Sequence, residues 1–143
     1  MNKQDTRNRP IPEGFVPADR KAPFTIANGP FFEKISDDNK LVRAFYVEPK
    51  HLNSIKFAHG GMLMTFADSA LAAVVFHETG RRCVTIKMNS EFLRPAREGD
   101  WVESDVEVIR STRTVVFVRG SLKVGQKAIF KADGIFHYVH VGS

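Results

Sequence analysis

Residues 57–76 read FAHGGMLMTFADSALAAVVF, and this apolar run decides the fold of the chain. Across residues 62–76 a helical projection is apolar on nearly every side, and it is interrupted only by Thr65, Asp68 and Ser69. A helix of that kind lies in the core of a protein. Gly80, which follows the run, is a typical helix stop. The sequence therefore predicts a buried central helix that carries one carboxylate.

Asp68 needs an explanation, because burying a carboxylate is costly unless it is paired or solvated. One explanation is structural: the carboxylate pairs with an Arg or Lys, or accepts hydrogen bonds from hydroxyls such as that of Ser69. The other is chemical: burial keeps a general base or a nucleophile reactive. The residues by themselves leave both explanations open.

The helix is preceded by His59 and begins with two glycines, Gly60 and Gly61. Glycine has no Cβ, so the backbone at these positions can approach a ligand closely. The first N–H groups of a helix are unpaired and lie at the positive end of its dipole, where they can stabilise an oxyanion. A simple tight turn would also explain Gly-Gly. The glycines together with a carboxylate in the middle of the helix form a more specific pattern than either part.

The segments around this helix predict β-structure. Residues 30–49 form two extended runs around a Ser-Asp-Asp-Asn turn, which indicates a hairpin. After the helix, alternating residues predict three or four long antiparallel strands, with turns at 111–113 and 125–126. One helix covers a large sheet only if the sheet curls around it, so the predicted fold class is α+β with a wrapped central helix. The edge and face that such a sheet exposes predict an oligomer.

Residues 1–23 differ in composition from the rest of the chain. They hold four of the seven prolines, with charged residues between them. This composition predicts an N-terminal arm that is poorly ordered or wraps over the surface, followed by a domain at residues 24–143.

Length, charge and cysteine content narrow the class of protein. The 143 residues suit a single domain, and the one cysteine excludes an intrachain disulfide and a Cys-rich metal site, which fits a reducing cytoplasm. The N-terminus lacks the apolar region of a signal peptide, and no uncharged run is long enough to cross a bilayer. We therefore expect a soluble cytoplasmic protein with no membrane partner. The net charge of +5 is not gathered in a basic run, so nucleic acid is not an expected partner.

Other catalytic patterns are absent or weak. No G-x-S-x-G, H-E-x-x-H or paired C-x-x-C motif occurs. Cys83 follows two arginines, which can lower the pKa of a thiol, but it begins a strand pattern and fits a small buried residue better. His137 and His140 are three residues apart in a strand and face opposite sides, so we expect no shared metal ion.

The stretch HGGMLMTFADSA resembles the HGG-x-x-x-x-x-x-D motif of hotdog-fold thioesterases, in the PaaI-like and thioesterase superfamily member 2-like branch. His59 and Asp68 are nine positions apart, which is the spacing in that family. The segment MNSEFLRPAREGD at residues 88–100 is similar to the family's N-x-x-F/Y-x-x-P-A-x-x-G-D segment. The resemblance extends from about residue 31 to residue 138. It implies the hotdog fold, in which an antiparallel sheet wraps around one long central helix.

The resemblance also implies roles for five residues. Asp68 matches the catalytic carboxylate, which activates water or attacks the thioester carbon directly. Gly60 matches the residue whose N–H polarises the thioester carbonyl, and His59 matches the histidine that supports this loop. Asn53 matches a polar residue that helps to hold the attacking water or the carbonyl. Thr85 falls where relatives have a Ser or Thr near the carboxylate.

The implied reaction is hydrolysis of an acyl-CoA or aryl-CoA thioester, with no metal and no cofactor beyond the coenzyme A of the substrate. Gly61 and Phe92 are expected next to the substrate, Phe92 where relatives have an aromatic residue beside the pantetheine channel. A turn with two arginines and three hydroxyls resembles the hairpin that contacts the coenzyme A nucleotide in relatives: Arg110, Ser111, Thr112, Arg113 and Thr114. A solvent-facing turn is the alternative interpretation of this hairpin.

In this family two subunits form each site, so a homodimer is the smallest expected unit and a dimer of dimers, a homotetramer, is usual. The nine residues from His59 to Asp68 span about 13 Å of helix, so Asp68 is expected to serve the HGG loop of the partner subunit. Two alternatives remain at this stage. One is a hotdog hydratase or dehydratase, and the other is a non-catalytic acyl-CoA-binding or sensing module. The arm is too short to be a DNA-binding domain, and retention of the carboxylate disfavours pure binding.

Overall fold

The computed structural model describes residues 9–141 and is built from one long helix and one antiparallel sheet. The helices within this range are α1 (Pro23–Asn28) and α2 (Gly60–Thr79), and a 3-10 turn spans Pro49–His51. The strands are β1 (Val16–Ala18), β2 (Phe31–Ile35), β3 (Leu41–Tyr46), β4 (Cys83–Phe92), β5 (Trp101–Ser111), β6 (Val115–Val124) and β7 (Lys127–Tyr138). Their order in the sheet is β1-β2-β3-β5-β6-β7-β4, and all neighbours are antiparallel.

Helix α2 forms the centre of the core. It ends where Gly80 adopts a left-handed conformation, with φ of 71°, and donates its N–H to the carbonyl of Phe76. Large side chains from the sheet surround it: Phe31, Phe45, Phe130 and Phe136 are all almost completely buried. By length and hydropathy α2 could also cross a membrane, but within this fold it is the core helix of the sheet. The predicted α+β class and hotdog arrangement are confirmed.

One stripe of α2 departs from the prediction of a helix buried on all sides. Its half-buried or exposed residues are Thr65, Asp68, Ser69, Ala72, Ala73 and Phe76. The sheet curls only part of the way round the helix, so a single chain leaves this stripe uncovered. Strand β4 forms the neighbouring edge of the sheet and is largely exposed.

The hairpin predicted at residues 30–49 is formed by β2 and β3, and four long strands follow α2. Three elements were not predicted, and one of them is the 3-10 turn at Pro49–His51. Helix α1 has only six residues, and β1 adds an edge strand to the sheet from within the segment predicted as an arm. Phe15 from the same segment packs edge-on against Trp101 on the outer face of the sheet. Residues 1–8 of the predicted arm lie outside the described residues, and the boundary at residue 23 remains a prediction.

Candidate functional site

The start of α2 presents one free backbone donor. His59 is the N-cap, and its Nδ1 accepts a hydrogen bond of 2.8 Å from the N–H of Gly61. The N–H of Gly60 has no hydrogen-bond partner among residues 9–141. The hydrogen bond between His59 and Gly61 therefore fixes the turn, and the N–H of Gly60 remains available at the positive end of the helix dipole.

Phe92 lies directly against this donor. A Cβ added to Gly60 would be 3.0 Å from Cε1 of Phe92, which is closer than side chains normally pack. The ring of Phe92 also meets Phe130 edge-on, with 5.1 Å between ring centroids, yet Phe92 remains 53% exposed. A side chain at position 60 would therefore press on the Phe92 ring, and this half-exposed ring lies beside the residue that carries the free N–H.

Asn53 shapes the loop that leads to α2. Its Oδ1 accepts hydrogen bonds from the N–H groups of Ile55 at 3.1 Å and Phe57 at 3.0 Å. Its Nδ2 has no partner within residues 9–141. The side-chain oxygen is thus occupied by the loop, and only the amide nitrogen is available to a ligand. The predicted contact between Asn53 and substrate or water stays a prediction.

Asp68 accepts a hydrogen bond from the hydroxyl of Thr85, which places these two predicted residues together. Within the described chain Asp68 has no ion pair, and neither Ser69 nor any Arg or Lys is its partner. The Thr85 hydroxyl therefore satisfies one carboxylate oxygen, Oδ1, whereas the other carboxylate oxygen of Asp68 has no protein partner within residues 9–141. The carboxylate is half-buried and therefore retains access to a ligand.

A groove of ≈ 960 Å³ runs along the open stripe of α2 beside Asp68. The opposite wall comes from β1, β2 and β3 and includes the guanidinium of Arg43, whose side chain is only 8% exposed. Arg43 Nη1 lies 2.6 Å from Asp19, and its Nε lies 2.8 Å from Glu33. The cation is therefore neutralised by two other carboxylates and leaves Asp68 uncompensated.

Cys83 lines the same groove, at the start of β4. Burial raises the pKa of its thiol, and the negative charge of Asp68 raises it further. The thiol is thus held protonated, which excludes the activated cysteine considered as an alternative and agrees with a small, partly buried residue.

The hairpin between β5 and β6 contains the five predicted nucleotide contacts. Two of its hydroxyls already have protein partners: that of Thr112 closes the turn through Val115, and that of Ser111 pairs at 2.5 Å with the hydroxyl of Tyr138 on β7. Three side chains of the hairpin have no hydrogen-bond or ion-pair partner within residues 9–141: the guanidinium groups of Arg110 and Arg113 and the hydroxyl of Thr114. The hairpin therefore presents two uncompensated cations.

These residues form three groups in one chain. The first group lies at the start of α2 and consists of Asn53, His59, Gly60, Gly61 and Phe92. The second, Asp68 with Thr85, lies at the middle of the helix. The third, the hairpin, lies beyond the end of α2, where Arg81 donates a 3.0 Å hydrogen bond to the carbonyl of Arg113. Because α2 is continuous, about 13 Å separate the first two groups along the helix axis. One chain does not bring the free N–H and the carboxylate together.

His51 is a residue of this region that the sequence analysis did not select. It is 4% exposed, and its ring and Glu48 cap the 3-10 turn reciprocally. The signal is present in the sequence as Glu-Pro-x-His, with an acceptor and a ring three positions apart. Within residues 9–141 no cluster of three or more His, Cys, Asp or Glu could hold a metal ion.

Comparison with known proteins gives consistent matches. The model of the family described as "Thioesterase superfamily" matches residues 56–129. The chain is 36% identical over 129 residues to "Putative esterase PA0474" of Pseudomonas aeruginosa, which covers 89% of this chain and 96% of that protein. It is 30% identical to human acyl-coenzyme A thioesterase 13, over 73% of this chain and 74% of that one. The Escherichia coli PaaI protein of the phenylacetic acid degradation operon matches with a TM-score of 0.66 and 25% identity, over 70% and 72% of the two chains.

Proposed function

Since this chain belongs to the thioesterase superfamily and is a thioester hydrolase of its PaaI-like family, we propose that it hydrolyses an acyl-CoA or aryl-CoA thioester. The products are the free acid and coenzyme A. The name of the human relative, an acyl-coenzyme A thioesterase, supports this substrate class. The hairpin supports it as well, because the uncompensated guanidinium groups of Arg110 and Arg113 suit phosphate oxygens.

The observation that carries the proposal is the free N–H of Gly60, held at the start of a 20-residue helix while His59 occupies the next N–H. A donor in that position needs no rearrangement when negative charge develops on a carbonyl oxygen. It therefore favours a reaction that passes through an oxyanion. Hydrolysis of a thioester is such a reaction.

The proposed steps assign one task to each group. Water attacks the thioester carbon while the free oxygen of Asp68 accepts a proton from it. The carbonyl oxygen becomes negative and accepts the hydrogen bond of the Gly60 N–H. The carbon–sulfur bond then breaks, coenzyme A leaves as a thiolate, and the proton held by Asp68 converts it to the thiol. Thr85 orients the carboxylate through its hydroxyl.

Direct attack by Asp68 on the thioester carbon is the other form of this mechanism. It would give a mixed anhydride, which water then hydrolyses. Turnover in ¹⁸O-labelled water separates the two forms by mass spectrometry of the peptide that contains Asp68. Label in Asp68 indicates direct attack. Label in the acid product alone, together with no Asp68 hydroxamate when hydroxylamine is added during turnover, indicates attack by water.

The distance along α2 supports a homodimeric site. The Asp68 carboxylate lies at the middle of α2 and the hairpin lies beyond its end, and both are away from the Gly60 of the same chain. In a two-fold dimer with antiparallel α2 helices, Gly60 of one protomer would face Asp68 of the partner subunit. The open stripe of α2 and the exposed β4 edge offer the surface for such a dimer. A dimer of these dimers is the proposed tetramer.

Release of free thiol from a panel of acyl- and aryl-CoAs tests the function. We expect turnover of some members of the panel, and a loss of about 10²–10⁴-fold in kcat for Asp68→Asn, because a general base contributes that much. Asp133→Asn is the matched control, since Asp133 is an exposed aspartate on β7 whose carboxylate also accepts one side-chain hydrogen bond, from Asn89 at 3.3 Å. Tight binding of every thioester without thiol release would overturn the proposal in favour of a sensing module.

A further inference from the structure

His51 joins three segments of the chain immediately before the site helix. Its Nε2 lies 2.6 Å from the carbonyl oxygen of Asn28, at the end of α1. Its Nδ1 accepts a 2.9 Å hydrogen bond from the N–H of Glu48. Its own carbonyl accepts a 2.7 Å hydrogen bond from the N–H of His59. The residue therefore connects α1 and the 3-10 turn to the residue directly before Gly60.

These contacts determine the state of the ring. A carbonyl only accepts, so Nε2 must carry a proton, and the Glu48 N–H only donates, so Nδ1 must not. The imidazole is therefore neutral, with its proton on Nε2. The ring is only 4% exposed and packs edge-on against Phe45, at 5.4 Å between ring centroids.

The loop from His51 to Gly60 is fixed at several points. Asn53 holds its tip through Ile55 and Phe57, and the N–H of Ala58 donates a 2.8 Å hydrogen bond to the carbonyl of Ala96. The next N–H, that of His59, is held by His51. The peptide that carries the Gly60 N–H follows at once. The carbonyl of that peptide, on His59, accepts hydrogen bonds from the N–H groups of Met62 at 2.8 Å and Leu63 at 3.2 Å. Helix α2 therefore fixes the carbonyl of this peptide, and the His51 carbonyl fixes the N–H of the residue from which the peptide extends.

Resting on the role proposed for the Gly60 N–H, we propose that His51 is a positioning residue that acts in its neutral form. Its ring fixes the 3-10 turn, and its carbonyl anchors the N–H of His59, the residue from which the peptide of the oxyanion donor extends into α2. Protonation of Nδ1 places an N–H against the N–H of Glu48 and releases this loop. The pH dependence of the site then includes the titration of a histidine that does not touch the substrate.

The surroundings of the ring keep it neutral over the working range. Burial, which disfavours the charged ring, is the largest effect and holds the pKa of His51 below its usual value. Of the charged groups nearby, the carboxylate of Glu48 opposes this shift and the ammonium of Lys50 adds to it. The elements packed against the ring contribute the Asn28 carbonyl from α1 and, from β3, the backbone of Tyr46 and the apolar ring of Phe45. The two backbone groups also oppose the lowering of the His51 pKa, and burial exceeds them.

The first test is ¹⁵N NMR of the wild-type protein and needs no substitution. The expected result at pH 7.5 is a neutral His51 ring protonated at Nε2. On acidification, the amide resonances of His59 and Gly60 should shift with the same midpoint as the His51 ring. A ring protonated at Nδ1, or Gly60 amide shifts that do not follow the ring, would overturn the inference.

The second test uses variants that each keep half of the ring's hydrogen bonds. His51→Asn retains an acceptor near the position of Nδ1, and His51→Gln retains a donor near that of Nε2. We expect each to lower kcat about tenfold with little change in KM, since the donor and not the binding surface is displaced. His51→Leu, which keeps neither, should lose more.

His77→Asn is the matched control. His77 also bonds a backbone carbonyl through Nε2, that of Asn39 at 3.0 Å, but lies at the opposite end of α2. Its kcat should stay within twofold of wild type. Folded His51 variants with wild-type kcat would contradict the role. If the wild type hydrolyses no thioester, the proposed function fails, whereas the NMR titration still decides whether His51 positions Gly60.

Discussion

The hydroxyl of Thr85 donates a hydrogen bond to Oδ1 of Asp68, which connects strand β4 to the carboxylate in the middle of α2. Of the structural explanations that the sequence left open for Asp68, this contact agrees with a hydrogen bond from a hydroxyl and not with an ion pair. A structural ion pair would place a cation beside the carboxylate, but the buried cation of the groove, Arg43, is occupied by Asp19 and Glu33. A neutral donor orients Asp68 without cancelling its charge, as a base or nucleophile requires.

Thr85→Val should lower kcat about tenfold, because the carboxylate loses the one group that orients it while the volume of the side chain is retained. KM for the acyl-CoA should change little, since Thr85 acts on Asp68 and not on the bulk of the substrate. Thr85→Ser restores the hydroxyl and is expected to recover most of the activity. Steady-state kinetics of the three proteins decide this, and a valine variant as active as wild type would contradict the orienting role.

Gly60→Ala should lower kcat by about 10²-fold, because the new Cβ meets Phe92 Cε1 at 3.0 Å and displaces the peptide that carries the donor N–H. The second substitution Phe92→Leu removes the ring atoms in the way. The double variant is therefore expected to regain part of the lost kcat. The single Phe92→Leu variant shows what the ring itself contributes. Equal kcat for Gly60→Ala and the double variant would exclude the steric explanation.

Mixtures of two defective chains test whether the site is shared between subunits. Co-expressed Asp68→Asn and Gly60→Ala chains form mixed dimers that contain one intact site if Gly60 and Asp68 act across the interface. Random pairing makes about half of the dimers mixed, so activity should return to about a quarter of the wild-type value per protomer. Differently tagged chains allow the mixed dimers to be isolated and assayed. A site within one chain would show no recovery.

Local sequence patterns explain why much of the fold was predictable. Helix α2 followed from its apolar composition and Gly80, and the hairpin of β2 and β3 followed from two extended runs around a turn. The pairing of Asp68 with Thr85 was suggested only by the family resemblance. Contacts between distant segments were not predictable: β1 forms because its residues find an edge beside β2, and the oxygen of Asn53 is used by its own loop. The role of His51 depends on the carbonyl of Asn28, 23 residues away, which no local pattern encodes.

The thiol of Cys83 should report on the charge of Asp68. Burial and, second, the Asp68 carboxylate raise its pKa, so alkylation by iodoacetamide at pH 7.5 is expected to be slower than that of an unhindered cysteine. Asp68→Asn removes the second cause, and the rate should rise while burial still keeps it below that of a free thiol. Mass spectrometry of the peptide that contains Cys83 measures the rate. Asp133→Asn is the control, and an equal increase there would show that the effect is not specific to Asp68.

The stability of the protein should fall on the acid side because of His51. Burial lowers its pKa in the folded state, so below about pH 6.5, the usual value for histidine, the unfolded chain binds a proton that the folded chain resists. The contribution is therefore fully present above that pH. As the pH falls further, the free energy of unfolding decreases by up to about 1.4 kcal/mol per unit, until the folded ring is also protonated.

His51→Asn removes this proton linkage along with the ring. At pH 8 the wild type should be the more stable protein, because the variant lacks the hydrogen bond to Asn28, and the difference should shrink between pH 8 and pH 5. Urea denaturation at a fixed protomer concentration measures it. His77→Asn retains His51 and should keep the linkage that His51 contributes. The opposite result is a difference in the free energy of unfolding between wild type and His51→Asn that stays constant with pH. It would mean that the His51 ring has the same pKa in the folded and unfolded chains, contrary to the effect expected from its burial.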